Sequence, residues 1–210
     1  MKPSLSAILA HTKKNEWRTY DYCAMDLETT GLDLKKDEIV AIGATQISNG
    51  RIISEKSFYT QVKPENQPST GSMKIHGLRN VDLELSPSIA IIYPDLAKLI
   101  ENRIVIAHAA WVERAFLNRQ ARGLFPHKVL DTAILAQSLG VVENSPNKEP
   151  SLEFIARRLK LPVYAPHNAL GDAMTTSVVF LALVNILERN VKIRSSTELS
   201  LAMIWEKSKR

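Results

Sequence analysis

The sequence predicts an α/β protein built on a mixed sheet with helices on both faces. Three observations carry this reading. Apolar runs at 22–25, 39–47 and 51–62 read as strands, and the last two flank Asn49-Gly50, the strongest short hairpin signal because both turn residues need positive φ. Downstream of residue 85, patterns of helical spacing alternate with short apolar strands. The patterned part of the chain then closes on helices. Antiparallel strands followed by helix–strand alternation give a sheet of mixed direction, covered on each side.

In order along the chain, residues 1–20 read as an amphipathic arm. Tyr22 to Met25 is the first strand, Ile39 to Ile47 the second, and Arg51 to Val62 its antiparallel partner. Pro64 to Gly71 is polar and reads as a loop. Ser86 to Glu101 repeats at helical spacing, with Pro87 near its first turn, where a missing N–H costs nothing. Ile104, Val105 and Ile106 form the centre of a buried strand, Arg103 to Ala107. Trp111 to Arg122 is a helix closed by Gly123. Val129 to Thr132 is a short strand that runs into the helix Ala133 to Leu139. Val141 to Pro150 is a loop, Ser151 caps a helix to about Leu159, and Ala169 to Asn190 is a long apolar helix, buried on most sides. There is no internal repeat.

Composition bounds the function. A chain of 210 residues is long enough for one sizeable domain with a real core. Cys23 is the single cysteine, which excludes an internal disulfide framework and a cysteine-based zinc site. No run reaches the roughly 18 uninterrupted apolar residues of a membrane span, and the first ten residues make a poor signal peptide, so a cytoplasmic protein without a membrane partner is expected. The net charge of +5 is uneven: residues 1–20 carry +3, residues 189–210 carry +4 and residues 21–188 carry −2. Basic ends around an acidic middle suit a polyanionic substrate. The expected organisation is a basic arm over 1–20, a catalytic domain over 21–190 and a basic tail over 191–210.

Two acidic signals stand out. Asp26-Leu27-Glu28-Thr29-Thr30-Gly31 ends the first apolar run, and its carboxylates at i and i+2 share a face if the strand continues. Such neighbours repel unless a cation sits between them, and all-oxygen ligands suit Mg²⁺ or Mn²⁺. The second signal is His167-Asn168-Ala169-Leu170-Gly171-Asp172-Ala173. Five helical residues rotate His167 about 140° from Asp172, so they share no helix face. The solution is Asp172 in the first helical turn with His167 in the loop before it, where Pro166 also belongs. A loop histidine can take a proton from an attacking water. Glu113 follows a buried strand and falls on the helix entering from that strand's end, on the rim that carries Asp26.

Together these motifs resemble the DEDDh 3′→5′ exonucleases, the superfamily of the proofreading epsilon subunit of bacterial DNA polymerase III. The first family motif is matched by residues 26–31 and the third, His-x-Ala-x-x-Asp-Ala, by residues 167–173. The second, His-Asn-Ala-x-Phe-Asp, reads here His108-Ala109-Ala110-Trp111-Val112-Glu113. Ile75-His76-Gly77 and Asp131-Thr132 are further similarities, and the whole covers residues 20–188. Two departures stand in the second motif: Glu113 replaces aspartate and Ala109 replaces asparagine. The resemblance implies a ribonuclease-H-like fold, with a mixed five-stranded sheet, and hydrolysis of 3′-terminal phosphodiesters to nucleoside 5′-monophosphates. Two Mg²⁺ or Mn²⁺ ions about 4 Å apart would be held by Asp26, Glu28, Glu113 and Asp172. His167 would be the general base, and Thr29, Leu32 and His76 would line the terminal-nucleotide pocket. The implied substrate is the 3′ end of single-stranded nucleic acid, DNA ahead of RNA, with a DNA polymerase as a candidate partner. The competing reading is a nucleic-acid-binding or polymerase-associated module that keeps the fold but lost its second metal through Glu113. Nothing in the sequence fixes the oligomeric state.

Overall fold

Five strands form one sheet in the order β3-β2-β1-β4-β5. The computed structural model describes residues 16–124, 126, 129–143 and 149–189. Strand β1 (Tyr22–Thr29) lies at the centre. It pairs antiparallel with β2 (Ile39–Ser48), which pairs antiparallel with β3 (Arg51–Gln61) across Asn49-Gly50. Asn49 has φ 51° and Gly50 φ 71°, the conformation that the hairpin signal requires. On its other side β1 runs parallel to β4 (Ile104–Ala107), and β4 parallel to β5 (Val129–Asp131). The sheet is therefore mixed, as its sequence pattern predicts.

Seven helices alternate with or follow these strands among the described residues. They are α1 (Thr70–His76), α2 (Asn80–Leu83), α3 (Ile89–Ile100), α4 (Trp111–Gln120), α5 (Thr132–Ser138), α6 (Leu152–Arg158) and α7 (Ala169–Arg189). The pleat of β1 divides the core. Cys23, Met25 and Leu27 face α3 and α4, packing with Leu96, Phe116 and Leu117. Tyr22 and Ala24 face α7, packing with Phe180 and Leu183. The Tyr22 and Phe180 rings lie 4.9 Å apart between centroids. Helix α7 is the one described helix long and apolar enough to span a membrane, but it lies on the sheet, with Ala169, Val179, Phe180 and Leu183 fully covered.

Three expectations need correction. The first strand does not stop at Met25 but runs to Thr29, because Asp26 and Glu28 stay paired to Gly43 and Ala41. Charged side chains hid this: they interrupt the apolar run without interrupting the backbone ladder. The polar loop ends at Ser69 rather than Gly71, since Ser69 Oγ accepts from Ser72 N at 3.1 Å and caps α1, which Gly77 closes at φ 77°. Helices α1 and α2 are both too short to show a period. The helix expected from Ser86 begins at Ile89, with Ser88 at its N-cap position but without a side-chain cap bond, so Pro87 precedes it and Pro94 lies inside it. The expected arm is described only from residue 16, where a 3₁₀ turn (Glu16–Thr19) is tied down by Arg18, 2.8 Å from Glu188 near the end of α7. Residues 1–15 and the basic tail 191–210 lie outside the described residues.

Candidate active site

The site forms where the apolar face of β1 gives way to carboxylates. Along the α7 side of that strand the order is Tyr22, Ala24, Asp26, Glu28: two core residues, then two acids, at one pleat spacing. Helix α7 begins over the acidic half. The close approach depends on Gly43, the cross-strand partner of Asp26. A Cβ on Gly43 would stand 2.1 Å from the Ala169 carbonyl carbon and 2.2 Å from the Leu170 nitrogen. With no Cβ there, the helix start settles onto β2, and Asp172 arrives one turn later. Two residues along β2, the Thr45 hydroxyl lies 2.6 Å from the Ser177 hydroxyl and fixes the second turn.

The result is a three-carboxylate cluster. Asp26, Glu28 and Asp172 each offer an oxygen, all within 4.8 Å of one another. Burial pushes each carboxyl above its usual range, and the neighbouring carboxylates push further. Asp26 lies well above that range through burial, then Glu113, Asp172 and Glu28. Glu28 rises to about 7 through burial and Asp172. Asp172 rises to about 6 through burial, opposed by the His167 backbone N–H and imidazole. A divalent cation among these oxygens would remove the repulsion, and hard oxygen donors are the ligands Mg²⁺ and Mn²⁺ prefer. The residues present therefore fit such an ion.

Glu113 arrives from a different direction, on the first turn of α4. Only 4% of it is exposed, and its Oε2 is buried without a hydrogen-bond partner. Burial raises its pKa well above the ordinary value, reinforced by Asp131 and Glu149. It lies close enough to raise Asp26, yet stands outside the cluster of three. An orphaned, buried carboxylate oxygen beside other carboxylates is also a fit for a cation, at a second position.

His167 sits at the exposed lip, in the loop before α7, at φ 61°. Its backbone N–H donates to Asp172 Oδ2 at 2.9 Å. Asn168 Oδ1 accepts from the N–H groups of Leu170 and Gly171, both at 3.2 Å, and so starts the helix. The loop presses close here too: a Cβ on Gly171 would meet the Ala165 carbonyl oxygen at 2.4 Å.

Of the three residues expected to line a nucleotide pocket, Thr29 and Leu32 lie at and just beyond the end of β1, and His76 ends α1. Thr29 closes β1, its hydroxyl donating to the Gly31 carbonyl at 2.7 Å. Leu32 is 82% exposed in the following turn. His76 ends α1, its Nδ1 accepting from Leu78 N at 3.0 Å, and its ring lies beside the Thr29 backbone. Burial depresses the His76 pKa. Thr30 stitches this corner together, its carbonyl accepting from Ser69 N and the Ser72 hydroxyl.

Sequence reasoning gave no role in the site to Gly43 or Asp131. Gly43 has no local signal, because its importance lies in a helix 126 residues away. Asp131 did carry one: an aspartate at the end of a short strand, followed by threonine and a helix.

A mixed five-stranded sheet carries a cation-suited carboxylate cluster at the end of its central strand. The Exonuclease family model, RNase_T, matches residues 23–180, and the chain belongs to that family. It is 34% identical over 172 residues to the PolC-type DNA polymerase III of Thermotoga petrophila, covering 80% of this chain and 12% of that one. The chain thus spans about an eighth of the length of that relative. It is 27% identical over 166 residues to the DNA polymerase III subunit epsilon of Aquifex aeolicus, covering 79% of this chain and 81% of that one. In fold it is similar to Exonuclease X, solved with 5′-overhanging duplex DNA (TM-score 0.65, 22% identity, 84% and 99% covered). It is also similar to the nuclease domain of 3′hExo, a DEDDh family member solved with rAMP (TM-score 0.69, 15% identity, 81% and 94% covered).

Proposed function

We propose that this domain removes nucleotides from the 3′ end of single-stranded nucleic acid, DNA in preference to RNA, releasing nucleoside 5′-monophosphates. The observation that carries the reading is the convergence of Asp26, Glu28 and Asp172 within 4.8 Å, with His167 tethered to the last of them. Asp26, Glu28 and Asp172 would hold one divalent ion, Mg²⁺ or Mn²⁺, and Glu113 with Asp26 would hold a second. Bound there, the ions supply charge neutralisation for the phosphoryl oxygens and for the attacking and leaving oxygens. His167 stands outside the carboxylate set, on exposed loop, where its imidazole can accept a proton from the attacking water. Thr29, Leu32 and His76 would hold the terminal sugar and base.

The preference for DNA is supported by relatives that are DNA polymerase III subunits. The same likeness supports a polymerase partner and a cytoplasmic setting. The second reading, a binding module without turnover, draws on one observation: Glu113 stands outside the cluster of three. Product analysis on matched single-stranded DNA and RNA, with free or blocked 3′ ends, separates the readings. The expected result is metal-dependent release of 5′-mononucleotides from free 3′ ends, faster from DNA. His167→Ala should lower turnover about 10²–10⁴-fold, the range for a lost general base. Binding of both strands without any mononucleotide release would establish the module instead.

A further inference from the structure

We infer that Asp131, a carboxylate outside the metal-holding set, is the positioning residue for Glu113: it clamps the turn that launches α4 and thereby fixes where the Glu113 carboxylate enters the site. This rests on the two-ion reading above.

Asp131 ends β5 and is 3% exposed. Its two oxygens serve two different segments. Oδ1 accepts from Ala133 N at 2.8 Å and from Ile134 N at 3.4 Å, which is the N-cap of α5. Oδ2 turns the other way and accepts from Ala110 N at 2.8 Å. Capping α5 needs only the first set, and serine would supply it. The bond to Ala110 crosses to a neighbouring strand's end, where Ala107 is the register partner of Asp131.

His108 ahead of that turn is anchored by its Nε2, 2.9 Å from the Pro150 carbonyl, but the two alanines that follow have no polar side chain of their own. Ala109 sits at φ 55°, a conformation that L side chains avoid, and Ala110, the N-cap of α4, has no side-chain cap. Neither methyl group can bond the backbone. Thr132 adds a second grip one residue from Asp131, its hydroxyl 2.9 Å from His108 Nδ1. The pair Asp131-Thr132 therefore grips 108–110 from outside. Three residues on, Glu113 projects into the site with Oε2 unpartnered, so its placement is inherited from the helix start. Burying a carboxylate is costly unless donors meet it, and a buried aspartate kept only as a helix cap would be a wasteful choice.

Asp131→Ser tests this directly. Serine keeps the α5 cap but is too short to reach Ala110. The probe is Mn²⁺, titrated calorimetrically into the full chain with thymidine 5′-monophosphate present. Wild type should take up two ions. In the variant, the ion held by Asp26, Glu28 and Asp172 should be little changed, while the second should weaken by about 10–100-fold, the usual effect of losing a group that orients a ligand. Turnover should fall with it, with KM for a single-stranded oligonucleotide little changed. If Asp131→Ser does not fold, Asp131→Thr carries the same test, since its hydroxyl can also cap α5 and is also too short to reach Ala110. Two undisturbed ions, or equal weakening of both, would overturn the inference. Uptake of only one ion by wild type would instead overturn the two-ion reading on which it rests.

Discussion

Asp26, Glu28 and Asp172 are carried by the paired central strand and by a helix seated against its neighbour, whereas Glu113 follows a turn made of alanines. On the first side, two acids follow the pleat of the central strand, and the third comes from a helix seated on a glycine notch with backbone atoms 2.1–2.2 Å from where a Cβ would stand. On the second side, one acid depends on a left-handed Ala109 and an Ala110 without a side-chain cap, a turn held from outside through a single oxygen of Asp131. The difference teaches that one site can contain a rigid half and an adjustable half. A longer carboxylate at 113 is tolerable only in the adjustable half. In the rigid half an extra methylene would have to displace β1 or α7.

The largest effects should expose this asymmetry in rate. Asp26→Asn removes a carboxylate from the rigid half and should lower turnover by about 10³-fold, the upper range for losing one electrostatic group. Glu113→Gln should cost less, about 10²-fold, because the adjustable half can relax toward the remaining ligands. Steady-state kinetics on a labelled single strand measures both. Equal losses would mean that the two halves are equally fixed.

Gly43→Ala attacks the rigid half without touching an acid. A new Cβ must be brought from 2.1 Å to at least 3.4 Å from the Ala169 backbone, so the start of α7 has to retreat by more than 1 Å. A shift of that size costs on the order of 10²-fold in rate. It should also loosen Mg²⁺, which demands near-ideal octahedral geometry, more than Ca²⁺, which takes longer and more variable bonds. The measurement is the ratio of the two affinities in wild type and variant. An unchanged ratio would show that the notch does not set the spacing.

The carboxylates also make stability depend on pH when no metal is added. Glu28 at about 7 and Asp172 at about 6 lie above their unfolded values of 4.5 and 3.8, and Asp26 and Glu113 are shifted the same way. Between the two values the folded state holds more protons than the unfolded one, so stability falls as pH rises. The stabilising share is complete below about pH 4 and is lost through pH 6 to 7 and above. In EDTA, melting temperature should therefore decline from pH 5.5 to 8 on account of these groups, roughly the span of the raised pKa values. Adding Mg²⁺ should raise it most at the alkaline end, and Asp26→Asn should flatten the decline. A metal-free melting curve that rises over this interval would contradict the shared cause.

Much of this was legible beforehand, and the boundary of legibility is physical. The hairpin at Asn49-Gly50, the buried strands and the cap at Ser151 are local signals, and they report the mixed sheet. Asp172 in the first turn of α7 with His167 in the loop before it also follows from local geometry, since helical rotation forbids a shared face. What could not be read was contact between distant segments. Gly43 looks like any strand glycine until α7 lands on it. Asp131 looks like a helix cap until its second oxygen is seen to reach Ala110. The strand end at 26–29 was missed for the opposite reason: the functional acids break the apolar pattern by which strands are recognised.

The smallest effect concerns the adjustable half at its weakest point. Ala109 holds φ 55°, and a left-handed conformation costs an ordinary L residue about 1–2 kcal/mol. Asn is among the residues that tolerate it, because its side chain can bond the local backbone. Ala109→Asn should therefore stabilise the protein by about 0.5–1 kcal/mol, less than the full strain because neighbouring groups already accommodate alanine. Ala109→Gly also relieves the strain but gains entropy when unfolded, so it should fall between wild type and asparagine. Urea denaturation with an unchanged slope measures both. His167 provides the internal comparison. It shares a positive φ of 61° yet belongs to a residue type enriched there, and replacing it by alanine should destabilise where changing Ala109 stabilises. If Ala109→Asn instead lowers stability, the turn is held by something stronger than the Asp131 clamp. The contrast between a fixed and an adjustable half would then have to be drawn elsewhere than at the start of α4.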